Sequence, residues 1–340
     1  MNLVITIIIG VLMFCLLILA HEFGHFITAK NCGVKVNEFS IGMGPLLWHK
    51  DTEETKYSIR ALPIGGYCAM EGEDEESEDA RSFSNASCPR KLLIVSAGAI
   101  MNVLLAIVLM IIVCFVMGTA TTTISGFVDG SYFKEAGLKT GDRIVQINDK
   151  KINEWSDIGD SLDGLDGSDT VTVTVMRGGE KVTVTSHLMK NSGQYIIGIT
   201  PKMSRAPAKC IQAGFASTWN MTVEMYKIFG QLFTGHLSLD ALSGPVGIFY
   251  VVGQSAHQGL IYVIYLTALI SLNLAIVNMF PFPALDGGRF LLILIRRVTG
   301  KLISAKAENA INFAGLMLLF ALMIYVTFND VLKFVLPSFR

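Results

Sequence analysis

Four apolar segments, each long enough to cross a lipid bilayer as a helix, constrain the fold of this chain more than any other feature. A membrane span takes about 20 residues, and these segments run roughly over residues 3–20, 92–118, 260–280 and 310–328. Only 16% of the 340 residues are charged, against about 25% in ordinary soluble domains. We therefore predict a polytopic α-helical membrane protein with four transmembrane helices.

The first apolar segment has a second interpretation, a cleaved signal peptide. Such a peptide carries basic residues before its apolar run and small residues at its cleavage site. This segment has no lysine or arginine before it, and a polar motif follows it directly. These features favour a retained span.

Basic residues are unevenly distributed around the spans, and the side rich in lysine and arginine is normally cytoplasmic. They lie mainly in two connections, between spans one and two and between spans three and four: Lys30, Lys35, Lys50, Lys56, Arg60, Arg81, Arg90 and Lys91, then Arg289, Arg296, Arg297, Lys301 and Lys306. The tail after the fourth span has only Lys333 and Arg340. We predict a multi-pass protein of the inner or plasma membrane with both termini extracytoplasmic.

Charge and cysteine content exclude some other classes of function. The formal net charge is -1, which gives no reason to expect nucleic acid as a partner. The six cysteines include no C-x-x-C pair, so neither a disulfide framework nor a cysteine zinc site is indicated.

Residues 36–70 predict a β-hairpin or small sheet that associates with the membrane. Two apolar stretches rich in β-branched and aromatic residues surround the polar turn KDTEETK, with glycines such as Gly42 and Gly44 as punctuation. An unpaired edge of this sheet could hold an extended peptide by strand addition, or the hairpin could simply brace the helices. The charge run EGEDEESEDA follows, and we interpret it as a solvated loop.

Residues 119–205 have a different pattern, of short alternating strands and tight turns. The stretch AGLKTGDRIVQINDKKI resembles bacterial PDZ domains, although Tyr132 and Phe133 replace the Pro-Ala that many of them have before AGL. A PDZ fold binds peptide ends or strands in a groove, or it could act as a steric cover. The amphipathic stretch Ile211 to Phe233 predicts an interfacial helix.

The most specific chemical motif follows the first span at once, in HEFGH. His21 and His25 are four residues apart and so share one face of a helix, where both imidazoles can reach one Zn²⁺. Glu22 between them is placed to accept a proton from zinc-bound water. The alternative is a helix end whose histidines merely meet the membrane interface.

A catalytic zinc needs a third protein ligand and an open position. Asp286, in NMFPFPALDGGRF after the third span, is on the same predicted side as the histidines. A carboxylate at membrane depth is costly unless it is paired or binds a metal, although this one could also face the cytoplasm. The other histidines, His49, His187, His236 and His257, lie in loops or in the outer domain.

Asn273 and Asn278 precede Asp286 within the third span. Their amides could bond to other helices, or one could bind the substrate backbone or the developing oxyanion. Asn102, in the second span, is assigned mainly to helix packing.

Together, HEFGH, NMFPFPALDGG, FSIGMGP, IRALPIGGY and the inserted PDZ-like segment resemble the site-2 protease family of intramembrane zinc metalloproteases, in particular its regulator of sigma-E protease branch. The resemblance covers nearly the whole chain. It implies that His21, His25 and Asp286 hold zinc, that Glu22 is the catalytic acid/base, and that a set of further residues handles substrate: Asn273, Asn278, Pro281, Pro283, Gly42 and Gly44. Gly98-Ala99 departs from the Gly-Pro that members often have before the second-span asparagine.

The implied function is regulated intramembrane proteolysis, the hydrolysis of peptide bonds in single-span substrates such as anti-sigma factors or remnant signal peptides. The active site would open to the cytoplasm, and the outer domain would admit shortened substrates. A non-catalytic PDZ scaffold and a transporter are the alternatives, and neither would cut a substrate.

These predictions divide the chain as follows: 1–35 first helix with HEFGH, 36–70 membrane-associated β-loop, 71–91 acidic cytoplasmic loop, 92–118 second helix, 119–205 PDZ domain, 206–259 interfacial helix and connection, 260–290 third helix with LDGG, 291–307 basic cytoplasmic loop, and 308–340 fourth helix and tail.

Overall fold

The computed structural model describes residues 3–73, 77–191, 193–238, 242–300 and 305–335. The chain divides into two compact units. The membrane unit comprises Met1–Met110 and Gly214–Arg340, and the inserted unit comprises Ile111–Ala213.

Nine α-helices are described: α1 Leu3–Asn31, α2 Cys88–Met117, α3 Tyr132–Glu135, α4 Ser156–Leu162, α5 Pro207–Phe233, α6 Pro245–Gln258, α7 Leu260–Asn278, α8 Asp286–Thr299 and α9 Ala305–Asp330. Ten strands accompany them in the described ranges: β1 Val36–Asp51, β2 Lys56–Met70, β3 Thr119–Phe127, β4 Arg143–Ile147, β5 Lys150–Lys151, β6 Thr170–Arg177, β7 Glu180–His187, β8 Met189–Asn191, β9 Gln194–Ile196 and β10 Ile199–Ser204.

Within the described part of the chain, four helices are long and apolar enough to cross a membrane: α1, α2, α7 and α9. Helix α1 is apolar on all sides, which is typical of a span. Leu17 and Met13 are buried against Val252 of α6, while Ile8 and Leu12 are exposed. The predicted polytopic helical fold is confirmed in these terms.

The third span ends close to the predicted residue 280, because Pro281 and Pro283 interrupt the helix and α7 ends at Asn278. The predicted segment 260–290 is nevertheless not one helix, since Asp286 of its LDGG motif begins the separate helix α8. The predicted basic loop is also wrong over residues 291–299, which continue α8. Residues 245–258, predicted as a connection, form α6 behind Pro245, a residue favoured in a first helical turn. Residues 74–76 of the acidic segment and 301–304 of the basic loop lie outside the described residues.

Residues 36–70 form the predicted antiparallel hairpin, β1 with β2. Phe39 pairs with both Cys68 and Tyr57, so the first half of β1 lies between the two ends of β2. The hairpin packs on the end of α1 and the start of α2 through a buried cluster that includes Phe26, Phe39 and Ile94. The membrane association of this hairpin stays a prediction.

The inserted unit contains a six-stranded sheet in the order β10, β3, β4, β6, β7, with β5 beside β4. Strands β6 and β7 form an antiparallel hairpin with a tight turn, in which Arg177 pairs with Glu180. Phe133 is fully buried in its core, whereas Tyr132 is exposed. The PDZ assignment of this unit stays a prediction.

Candidate active site

The two histidines of HEFGH lie side by side within a continuous helix. Helix α1 runs on past its apolar segment to Asn31, so His21 and His25 are one turn apart. Both residues are buried, and their Nε2 atoms are 3.2 Å apart. The carbonyl oxygen of Ile94 lies 2.8 Å from His25 Nδ1 and can only accept, so Nδ1 carries the hydrogen and Nε2 is the free nitrogen.

Asp286 reaches the same point from α8, of which it is the first residue. Its Oδ2 lies 3.1 Å from His21 Nε2 and 3.4 Å from His25 Nε2. A Cβ on Gly287 would lie 2.2 Å from the carbonyl oxygen of Phe280, and one on Gly288 would lie 2.2 Å from that of Phe282. The glycine pair therefore lets the first turn of α8 fold back against the connection that follows α7.

These three side chains fit a zinc ion. Their ligand atoms are separated by 3.1, 3.2 and 3.4 Å, and tetrahedral ligands at zinc bond lengths of about 2.0–2.2 Å are about 3.3–3.6 Å apart. The Oδ2 atom of Asp286 is buried and accepts no hydrogen bond from any described residue. Among the described residues this is the one group of at least three His, Cys, Asp or Glu side chains close enough to share a metal.

Glu22 opens onto a cavity of about 260 Å³ next to the three side chains. The cavity lies between α1, the end of α7 and the start of α8, and it is lined by Ile18, His21, Glu22, Leu274, Asn278, Ala284, Leu285 and Asp286. On another side, a Cβ on Gly66 of β2 would lie 3.7 Å from Glu22 Cγ. Strand β2 thus passes beside the predicted catalytic residue, with room for little more than a methyl group between them.

Only some of the predicted substrate residues line the cavity next to Glu22. Asn278 lines the cavity, with Nδ2 3.4 Å from His21 Nε2. Asn273 is exposed on another face of α7 and does not line the cavity. Pro281 is exposed, and Pro283 packs on Gly315 of α9.

Gly42 and Gly44 lie in the bend of β1, both with positive φ. An ion pair fixes this bend, because Arg60 donates to the Gly44 carbonyl oxygen at 2.9 Å and to Glu38 Oε1 at 2.9 Å. Burial raises the pKa of Glu38, but hydrogen bonds from Ser58 and Arg60 outweigh it and lower the pKa to about 2. The pair is therefore charged at physiological pH.

Sequence reasoning did not assign Ala284 to the site, and it noted Asn102 only for helix packing and Gly98 only as a departure from the family pattern. Ala284 has a φ of 70°, unusual for a residue with a side chain, and its N–H donates to Asn312 Oδ1 at 3.3 Å. Gly98 and Asn102 of α2 adjoin the histidine rings. The sequence signal that could have indicated Gly98 and Asn102 is a small residue and an amide within an otherwise apolar span.

Comparison with known proteins gives consistent matches over almost the whole chain. The sequence profile of "Peptidase family M50" matches residues 9–322. A Clostridium acetobutylicum protein that carries the name of a zinc metalloprotease is 41% identical over 330 residues, covering 96% of this chain and 97% of the relative. Zinc metalloprotease RasP of Geobacillus kaustophilus is 30% identical, with coverage of 97% and 99%.

Proposed function

The chain belongs to peptidase family M50, the site-2 protease family, and on that basis we propose which of its residues perform the reaction. It is a multi-pass membrane protein and a zinc-dependent intramembrane metalloprotease. We assign the zinc to His21, His25 and Asp286, and the role of general acid/base to Glu22. The observation that carries this assignment is the triangle of three ligand atoms with sides of 3.1, 3.2 and 3.4 Å.

When bound, zinc makes water acidic enough to ionise near neutral pH and polarises a carbonyl group. The Glu22 carboxylate takes a proton from the attacking water and then gives a proton to the nitrogen of the leaving chain. The Asn278 amide, at the wall of the cavity, donates a hydrogen bond to the carbonyl oxygen on which negative charge develops.

The substrate must be extended at the bond that is cut, because a helix buries its carbonyl groups in its own hydrogen bonds. We propose that an unwound stretch of substrate adds to the hairpin as a further strand. The passage of β2 beside Glu22 at Gly66 supports this route, as does the fixed bend at Gly42 and Gly44. Pro281 and Pro283 would line the approach, and Asn273 is assigned the same role on the family resemblance alone.

We propose that both termini and the inserted unit are extracytoplasmic and that the active site opens to the cytoplasm, in accord with the basic connections. His21 lies about 27 Å along α1, at the far end of a hydrocarbon layer about 30 Å thick. The substrates are then single-span proteins such as anti-sigma factors, or remnant signal peptides. The inserted unit, as a PDZ domain, admits those already shortened outside.

The test of the catalytic role is Glu22→Gln in the purified, zinc-loaded protein, with a model single-span substrate. The amide cannot take the proton, so we expect cleavage to fall by roughly 10²–10⁴-fold while zinc content is unchanged. Glu53→Gln, in the exposed turn between β1 and β2, is the matched control. Cleavage by Glu22→Gln at the parental rate would overturn the mechanism.

The ligand set has its own test, zinc content after dialysis. We expect His21→Ala, His25→Ala and Asp286→Ala to lose zinc, and the exposed His187→Ala to retain it. Loss of zinc from His187→Ala, together with retention by Asp286→Ala, would refute the assignment.

A further inference from the structure

One face of α2 lies behind both histidines. Ile94, Gly98 and Asn102 are four residues apart and so share that face. The carbonyl oxygen of Ile94 lies 2.8 Å from His25 Nδ1, and the side chain of Asn102 lies 3.4 Å from His21 Nδ1. The two imidazoles therefore meet a polar atom of α2 at the same ring position.

The two ring positions have the same chemical requirement. His21 and His25 both direct Nε2 toward Asp286 Oδ2, so in each ring Nε2 must be unprotonated to bind a metal and Nδ1 must carry the hydrogen. An N–H group buried in this place needs an acceptor. Ile94 supplies one to His25, and His21 requires one from Asn102.

The amide oxygen of the Asn102 side chain, Oδ1, is available as this acceptor. The residue is fully buried, and its Oδ1 has no hydrogen-bond partner among the described residues, while Nδ2 faces His21 Nδ1. Rotating the amide by 180° exchanges the oxygen and the nitrogen without changing the volume. The oxygen then accepts from His21 Nδ1–H, whereas in the unflipped amide two donors, Nδ2 and Nδ1–H, would face each other.

We propose that Asn102 is a positioning residue for the metal site, whose amide oxygen holds His21 in the tautomer that leaves Nε2 free. This inference rests on the proposed zinc ligands and adds a residue to them. Partners of this kind orient metal-binding imidazoles, and their loss typically costs 10–100-fold in metal affinity. The sequence-based assignment of Asn102 to helix packing accounts for its backbone, whose carbonyl oxygen accepts from Ser271 Oγ at 2.8 Å.

The experiment is competition for Zn²⁺ between a chelator and the full-length protein in detergent. We expect Asn102→Leu, close in size but without an acceptor, to bind zinc roughly 10–100-fold more weakly. Asn102→Asp retains an acceptor and should keep the parental affinity. Should the leucine variant fail to fold, as judged by its thermal unfolding without metal, Asn102→Ala makes the same test.

Parental affinity in Asn102→Leu would overturn the proposal, and so would equal weakening in the leucine and aspartate variants, because the amide would then act as a donor. Ser271→Ala removes only the bond to the Asn102 backbone and should bind zinc normally. If it weakens binding as much as Asn102→Leu does, helix placement explains the effect and the proposal is wrong. His21→Ala distinguishes failure of the ligand assignment from failure of the role of Asn102. If His21→Ala keeps zinc, the ligand assignment is wrong. If His21→Ala loses zinc while Asn102→Leu binds it as the parent does, only the role of Asn102 is refuted.

Discussion

Gly98→Ala adds one methyl group to the face of α2 that lies behind the histidines. Its Cβ would lie 2.4 Å from His25 Nε2 and 2.6 Å from His21 Cε1, whereas unstrained contacts between such atoms are about 3.5–4.0 Å. The rings must therefore move by about 1 Å. Separation of the two helices would relieve the clash only by giving up their close packing, in which Gly24 of α1 lies so near α2 that a Cβ there would be 2.4 Å from the Ala97 carbonyl oxygen.

A displacement of about 1 Å in a catalytic group can cost roughly 10²-fold in rate, and we expect a loss of that order in cleavage together with weaker zinc binding. Alanine favours a helix over glycine by roughly 0.5–1 kcal/mol, so helix propensity acts in the opposite direction and cannot explain a loss.

The assay measures zinc affinity by chelator competition and cleavage of a single-span substrate in the same preparations. Gly230→Ala is the matched control, because a Cβ at that position in α5 has no neighbour within 4 Å. We expect it to cut and bind zinc as the parent does. If Gly98→Ala also did so, the close contact between α2 and the imidazoles would not exist in the working enzyme.

Two further predictions concern other parts of the chain. The hydrogen bond from Arg177 lowers the pKa of the buried Asp142 carboxyl. The pair therefore stabilises the inserted unit at any pH above the unfolded pKa of aspartate, about 3.9. This stabilisation is lost as the pH falls through the lower pKa of the folded state. Asp142→Asn should accelerate hydrogen exchange of β6 in the full-length protein at neutral pH, because the free energy of opening falls by roughly 1.5–3 kcal/mol. It should also make the stability of the inserted unit less sensitive to acid. Unchanged exchange would refute this prediction. A Cβ on Gly315 of α9 would lie 2.6 Å from Pro283 Cβ. Gly315→Ala should therefore displace the connection that leads to Asp286 and lower zinc affinity measurably. Parental zinc affinity in this variant would show that α9 does not support the site.

Local geometry explains why the three side chains that the structure brings together could be singled out from the sequence. The spacing of His21 and His25 fixes both on one face of any helix, whatever surrounds it. The glycines after Asp286 and the prolines before it mark a break that is only tolerated at membrane depth when it lines protein or a cavity. Four spans follow from length and apolarity alone.

The residues that surround the proposed ligands could not be found in this way. Which face of α2 meets α1 depends on the rotation of two helices that are apolar on nearly all sides, so periodicity carries no information about it. The same limit applies to Asn273 and Asn278. Five residues correspond to about 500° of helix rotation, so they point to different sides, and only the packing of α7 decides that Asn278 reaches the cavity.

The end of the third span at Asn278 has a direct bearing on the chemistry. Asn278 ends α7 with its amide 3.4 Å from His21 Nε2. A helix continued to residue 286 would carry the carboxylate about 12 Å farther along its axis, well beyond reach of the histidines. The observed distance of 3.1 Å from Asp286 to His21 therefore requires the chain to stop, turn back and start a new helix. An apolar run followed by PFPALDGG predicts that a span ends but not that the chain returns to the same depth, because the return depends on Gly287 and Gly288 packing against the carbonyl oxygens of Phe280 and Phe282.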